Sequence, residues 1–432
     1  MRFVSGKLRG LFRNEVLYMG SDALVKVIAF FAIPIYIRLM PASQYGLFSV
    51  YQTYFSLFNA FFGLTVARGV VRYYVAMGDR KKHLTTGICI SLSCSVVFSV
   101  VILAMRLVFH VMNITVSALL TVCVYALFQT LVDLGMEDLR ARLKAVYYSL
   151  CDLFTSLFSA SFAVFLLYIL QSNQGYWLLV SNVVPIGLLG LFLSFHIIRR
   201  DGLSFERSTA RYLLAYSIPL LPYAFSSIII SQINRFFLAQ LSLTQTGIYS
   251  FTAAFTSIMM VVSLSINRAF QPFLFNALKT QTNFRSRMYQ NMGLFYVTYI
   301  VFIAAADLVI GIMGKGDYLA ASSVIPIITL GYGYFFLFSL QVNFFYYHGK
   351  NIFVSVFSIA SAALIFLFNA LLIPKYGYYG AAVSTALAYF FQFLMSYIYI
   401  NWKLKIKTIP LKIVLGYQAL LLIPVAAKLF LF

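Results

Sequence analysis

The second half of the chain repeats the first at an offset of about 200 residues, and membrane-length apolar segments repeat with it. Gly46-Leu47-Phe48-Ser49, at the head of the second apolar segment, returns as Gly247-Ile248-Tyr249-Ser250 at the head of the eighth, 201 residues later. Gly175-Tyr176-Trp177, before the sixth, returns as Gly377-Tyr378-Tyr379 before the twelfth, 202 residues later. Two anchors with one spacing indicate a duplication, and a duplicated chain folds into two bundles of one topology. Membrane bundles built this way hold a substrate where the halves meet and work by rocking. The repeat therefore points to a transporter.

Hydrophobic residues make up 62% of the chain and charged ones 10%, a surface suited to lipid and not to water. Stretches of about 20 apolar residues, the length that crosses the hydrocarbon core, occur near 17-38, 48-70, 86-108, 113-134, 146-170, 176-198, 212-239, 248-272, 291-313, 323-346, 352-373, 380-401 and 411-431. The expected fold is an all-α polytopic membrane protein of two six-helix lobes related by the repeat, plus one extra C-terminal apolar segment. The expected lobes span 1-205 and 206-402, followed by a basic linker and the thirteenth segment in 403-432. No loop is long enough for a separate catalytic domain, so no enzyme is expected.

Of the 32 Lys and Arg, 23 fall on the side of the N-terminus and 5 on the other, the remaining 4 lying within apolar segments. Cytoplasmic loops retain positive charge, which places the N-terminus in the cytoplasm. The net charge of +21 then reads as a topology signal and an attraction to anionic lipid heads, with no nucleic-acid partner. The first apolar run contains Asp22, Lys26 and Pro34 and reads as the first helix, with no cleaved leader. Cys89, Cys94, Cys123 and Cys151 lack metal or disulfide spacing and read as small core hydrophobes, and the four His residues are scattered. Gly311-Ile312-Met313-Gly314-Lys315-Gly316 has the wrong glycine spacing for a phosphate loop, and the Asn113-Ile114-Thr115 sequon lies at a membrane boundary and carries no weight.

Charges inside apolar segments carry functional information, because each costs about 2.5 to 3.5 kcal/mol at a helix centre unless it faces protein or water. The basic members are Lys26, Arg68, Arg235 and Arg268, and the acidic ones Asp22, Asp152 and Asp307. Asp22 and Lys26 are spaced i, i+4 on one helix face, where they either neutralise each other or gate. Arg68 and Arg268 hold nearly equivalent places in the repeat, each about twenty residues beyond the repeated glycine. These cations either snorkel to the headgroups or line a cavity that receives an anion. A guanidinium fork suits phosphate through paired charge-assisted hydrogen bonds. Polar residues such as Gln52, Asn59, Gln129, Gln232, Asn234, Asn267, Asn343 and Gln392 either bind sugar hydroxyls or bond between helices. Pro34, Pro219 and Pro222 mark candidate bending points.

Ile33-Pro34-Ile35-Tyr36 through Tyr45-Gly46-Leu47-Phe48-Ser49, then Arg68, resembles the opening of the Wzx-type polysaccharide flippases, which belong to the multidrug/oligosaccharidyl-lipid/polysaccharide exporter superfamily. Ser217-Ile218-Pro219, Asn234-Arg235-Phe236-Phe237, Gly247-Ile248-Tyr249-Ser250 and Phe270-Gln271-Pro272 are similar to the seventh and eighth helix pattern. Ile373-Pro374-Lys375-Tyr376-Gly377 with Gly380-Ala381-Ala382 resembles the turn between helices eleven and twelve. The resemblance implies a V-shaped pair of lobes in the bacterial inner membrane that moves a polyprenyl-pyrophosphate-linked oligosaccharide, an O-antigen or capsule repeat unit, to the outer leaflet. It implies no cofactor, coupling to H+ or Na+, and a polysaccharide polymerase complex as partner. On this reading Arg68, Arg235, Arg268 and Lys26 bind substrate, and Asp22 or Asp307 couples or gates. Asn234 stands where many relatives have Asp, so no coupling carboxylate is expected there. The alternatives are a drug or organic-cation antiporter of the same superfamily, in which intramembrane carboxylates are essential, and a membrane glycan polymerase or ligase.

Overall fold

The computed structural model describes residues 2–77, 82–109, 114–406 and 408–431. Arg80, Lys81, Lys407, His110 and Asn113 of the sequon lie outside the described residues, as do the side chains of Asp22, Lys82 and the basic residues of the first sixteen positions. The first repeat supplies helices α1 (Arg2–Leu39), α2 (Ala42–Gly63), α3 (Val66–Met77), α4 (Lys82–Phe109), α5 (Val116–Ala141), α6 (Ala145–Ile169) and α7 (Gln174–Asp201). The second supplies α8 (Arg207–Ser217), a 3-10 turn (Ile218–Leu220), α9 (Leu221–Ala239), α10 (Leu243–Lys279), α11 (Arg285–Met313), α12 (Ala321–Tyr347) and α13 (Asn351–Ile398), with α14 (Leu411–Leu431) last. No strand occurs among the described residues. Lipid dictates this outcome, since a helix satisfies its backbone polar groups within one segment. Ten of the described helical stretches are long and apolar enough to cross a membrane, or eleven when α2 and α3, bent by 44°, count as one span.

Three departures from uninterrupted segments have local causes. The second segment breaks where Leu64 and Thr65 both adopt positive φ (43° and 54°), a conformation that costs a β-branched residue about 1 to 3 kcal/mol. Its counterpart in the second repeat, α10, runs unbroken for 37 residues. The seventh segment breaks at the 3-10 turn that holds Pro219, as its proline anticipates. The turn between segments eleven and twelve centres on Gly377 (φ 56°, ψ −133°), whose non-helical backbone kinks α13 into two helices. Pro34, by contrast, sits within a continuous α1.

Packing divides the chain into two compact units, Met1–Met40 with Val50–Phe225, and Pro41–Ser49 with Ser226–Phe432. In the first unit α1 packs on α6 and α5 on α7, while α8 packs on α3 and α4. Thr65 Oγ1 donates to the Ser217 carbonyl (2.9 Å), and Ser217 Oγ donates to the Thr65 carbonyl (3.3 Å). Backbone acceptors at the two helix breaks are thus satisfied by each other's side chains, where lipid could offer nothing. Further along the same seam the Tyr73 and Thr209 hydroxyls lie 3.3 Å apart, Thr85 Oγ1 donates to the Ser204 carbonyl (3.0 Å), and the Arg72 guanidinium lies 4.6 Å from the Tyr216 ring centroid.

In the second unit α12 is central and largely buried, whereas α14 leaves most of its length exposed. Phe336 of α12 stacks on Phe295 of α11 with centroids 4.2 Å apart. The thirteenth segment docks on this layer as α14. Tyr299 Oη donates to the Leu421 carbonyl (2.9 Å), and Tyr417 Oη donates to the Met292 carbonyl (3.0 Å).

The repeated motif itself forms a contact in this unit. A Cβ on Gly46 would run into the Leu243 carbonyl, and a Cβ on Gly247 into the Ala42 carbonyl. Ala42 and Gly46 stand to Leu243 and Gly247 at the repeat offset, so the two helix ends cross reciprocally, backbone on backbone. Small residues allow this approach in membranes. Gly293, also helical, has open space around its Cα. We expect Gly46→Ala and Gly247→Ala each to destabilise by about 1 to 3 kcal/mol, whereas Gly293→Ala is neutral or stabilising by up to about 1 kcal/mol. Thermal unfolding of the purified variants in detergent measures the contrast.

Candidate functional site

In the first unit, α5 continues two turns past the end expected from the apolar pattern, to Ala141. Gln129, Asp133 and Glu137 therefore lie four residues apart along one helix face. Asp133 Oδ1 accepts from Gln129 Nε2 (2.8 Å), and Oδ2 accepts from Asn59 Nδ2 of α2 at a long 3.5 Å. The oxygen of that amide, Asn59 Oδ1, is buried and has no hydrogen-bond partner. Tyr125, one turn before Gln129, stacks on Phe55 of α2 with centroids 3.7 Å apart. The half-buried carboxylate thus sits against two amides.

The break at Leu64–Thr65 fixes the level of Arg68. Its backbone N–H bonds the Thr65 carbonyl (3.1 Å), which sets it in the first turn of α3. The Arg68 side chain is exposed and forms no ion pair among the described residues. It acts electrostatically on both Asp133 and Glu137. Glu137 is already paired with Arg140 (2.8 Å). Beyond it, Asp138 bridges Arg142 (2.7 Å) and Arg200 (3.0 Å), and Arg200 also holds Asp201 (2.8 Å). That network ties the ends of α5 and α7 together and leaves little free charge.

In the second unit, Arg268 is exposed on α10, again with no ion pair among the described residues. Its neighbour Asn267 accepts from Asn343 of α12 (2.6 Å). Arg235 is half-buried, donates to Ser250 Oγ (3.1 Å) through Nε, and closes on Gln232 Oε1 through Nη1. Asp307, on α11, is exposed, pairs with Lys428 of α14 (2.9 Å) and accepts from Ser322. In the first unit Lys26 is exposed on α1. The contacts of Asp22 lie outside the described residues.

Asn234 occupies a buried polar network free of formal charge. Its Nδ2 donates to Tyr249 Oη and to Thr385 Oγ1 (2.7 Å), and its Oδ1 accepts from Asn369 (2.6 Å). Tyr249 and Thr385 hydroxyls complete the ring at 3.1 Å. All four residues are buried. Elsewhere in this unit Leu241, Gln245, Pro374, Tyr376, Tyr378 and Tyr379 line a cavity of about 560 Å³. No group of three or more His, Cys, Asp or Glu able to hold a metal ion occurs among the described residues.

Asp133 was absent from the sequence-based set although it lies within the fourth apolar segment, one residue before the end expected at 134. The i, i+4, i+8 spacing of Gln129, Asp133 and Glu137 is the signal that identifies it. Its pairing with Asn59, 74 residues away, is a tertiary fact with no sequence signature.

Residues 11–278 match the family described as Polysaccharide biosynthesis protein. Protein 1 of the Lsg locus of Haemophilus influenzae is 22% identical over 369 residues, covering 82% of this chain and 89% of that protein. A membrane protein of the same organism is 23% identical over 369 residues, covering 82% and 88%. Among solved structures, the lipid II flippase MurJ in an inward closed conformation superimposes with a TM-score of 0.76 at 14% identity, covering 94% of this chain and 91% of that one. An inward-facing multidrug resistance MATE family transporter of the MOP superfamily gives 0.68 at 12% identity, covering 88% and 94%. The duplicated helical fold expected from the sequence is shared with both.

Asn234→Ala removes the group on which Tyr249, Thr385 and Asn369 converge. Leaving those groups unsatisfied in a dry interior should destabilise by about 2 kcal/mol or more, and Asn234→Ala should unfold at a lower temperature than Gln290→Ala, a change at an exposed-face residue.

Proposed function

Because this chain belongs to the polysaccharide biosynthesis protein family, we propose that it is a non-enzymatic flippase. It moves a polyprenyl-pyrophosphate-linked oligosaccharide from the cytoplasmic to the outer leaflet of a bacterial cytoplasmic membrane. Transport follows alternating access and is ion-coupled, with the N-terminus in the cytoplasm, where the excess of Lys and Arg places it. The fold shared with the lipid II flippase supports the reading at the level of architecture.

The observation that carries it is the pair Arg68 and Arg268. Both are arginines within apolar helices, both exposed, both without an ion pair among the described residues, and both about twenty residues past a repeated glycine. An arginine kept at such a level without a direct ion pair is suited to an external anion, and pyrophosphate is matched by the guanidinium fork. Lys26 adds a third exposed cation. Arg235 serves through position, its nitrogens being engaged by Ser250 and Gln232. Asp307 with Lys428 gates at the end of α11, and Asp22 belongs to the same coupling set. The partners on this reading are the lipid-linked oligosaccharide, the bilayer and a polysaccharide polymerase complex. A drug antiporter of the same superfamily draws support from Asp133, an intramembrane carboxylate, and requires carboxylates and not arginines to be essential.

The test is the sidedness of lipid-linked oligosaccharide in cells lacking the gene. Accumulation of the full repeat unit facing the cytoplasm, released by re-expression, supports flipping. Normal appearance of the intermediate on the outer face rejects it. Within a complementing strain, Arg68→Ala and Arg268→Ala should each reduce export at least about tenfold, as loss of a charge-assisted contact of about 1.5 to 3 kcal/mol requires. Lys315→Ala should leave export near wild type, with all three expressed equally by immunoblot.

A further inference from the structure

Both hydrogen bonds to the Asp133 carboxylate come from neutral amides: Gln129 at 2.8 Å and Asn59 at 3.5 Å. A full negative charge held so weakly in a helical membrane unit is expensive. The Asn59 amide shows an asymmetry that bears on the charge state. With Asp133 ionised, Asn59 offers Nδ2 to it and leaves Oδ1 buried and orphaned. With Asp133 protonated, a half-turn of the same amide lets Oδ1 accept the carboxyl O–H. Nδ2 moves to the position that Oδ1 vacates, so the bond to Asp133 is kept with its direction reversed and the carboxylate charge is gone, with no backbone movement. Donors on two sides do not suit a metal cation, which needs oxygens. They suit a carboxyl group that alternates between accepting and donating. Asp133 is only half-buried, so a proton can reach it.

We infer that Asp133 is a proton-binding site whose occupancy sets the affinity of Arg68 for an anionic headgroup, an inference that rests on the reading of Arg68 as the headgroup contact. The charged and titratable groups that face Asp133 are few. Arg68 comes from α3, while Glu137 and Tyr125 come from α5 itself. Glu137 is compensated by Arg140, which leaves Arg68 and Asp133 to respond to each other. While Asp133 is ionised, Arg68 sees an anion belonging to the protein, and an incoming pyrophosphate meets a like charge. Protonation removes that charge and frees the guanidinium field for the ligand. Linkage is reciprocal: a bound anion near Arg68 favours the proton on Asp133 by the same factor. The proton and the headgroup therefore bind together, and the bound complex carries one negative charge fewer.

Two measurements on the full-length protein in nanodiscs test this separately. Infrared difference spectra between alkaline and acidic pH, without ligand, should show a protonated-carboxyl band that is lost in Asp133→Asn and returns in Asp133→Glu. Binding of a polyprenyl pyrophosphate should tighten on acidification on the order of tenfold more in wild type than in Asp133→Asn. The conservative Asp133→Glu should restore the pH dependence, which a merely structural role would not. An infrared spectrum unchanged by Asp133→Asn overturns the proton site whatever transport shows. A band with pH-independent affinity overturns the link to Arg68. A band with no binding of polyprenyl pyrophosphate at any pH overturns both the link and the flippase reading while supporting the proton site. Retention of the wild-type oligomeric profile by Asp133→Asn in gel filtration verifies that the variant is folded.

Discussion

A peptide group that leaves helical geometry in hydrocarbon finds no water, so each break in a spanning helix has to be answered by another part of the protein. Thr65 and Ser217 answer one another. Each hydroxyl donates to the other's carbonyl, 152 residues apart in sequence, at 2.9 and 3.3 Å. The consequence extends beyond the two residues. The left-handed pair Leu64–Thr65 persists because the far side of the bond holds it, and the break lifts Arg68 out of the line of α2 into the first turn of α3. The bent pair in the first repeat and the straight α10 in the second then present their arginines from different backbones. A duplicated sequence has thereby become two unlike sites.

The glycine crossing applies the same physics to close packing. Gly46 and Gly247 are the anchors by which the duplication is visible, and they are also the points where two helix ends approach to backbone contact. Any side chain there would collide with the Leu243 or Ala42 carbonyl. The motif recurs at one spacing because each copy provides the space that the other occupies.

Charge is distributed with equal economy of partners. Asn234 completes a neutral ring with Tyr249, Thr385 and Asn369 that needs no ion. A carboxyl group does occur in the other unit, at Asp133, beside an amide whose nitrogen donates to it and whose oxygen is unpaired. The ends of α5 and α7 gather Asp138, Asp201, Arg142 and Arg200 into one linked ion-pair network, whereas Arg68 and Arg268 form no ion pair among the described residues.

Apolar runs, the repeat offset and the placement of Lys and Arg are properties of the chain read in order. They determined the all-helical class and the duplication, because a bilayer imposes length and backbone satisfaction on every segment alike. Pro219 likewise announced its break, since a missing N–H acts locally. The break at Leu64–Thr65 had no such residue to signal it, because a distant hydroxyl maintains it. Only the tertiary structure decided that Arg235 is engaged by Ser250 and Gln232, that Asp307 answers Lys428, and that Asp133 lies against Asn59. Those outcomes depend on which side chains meet across helices, and helical spacing fixes a residue's own face without naming the residue opposite.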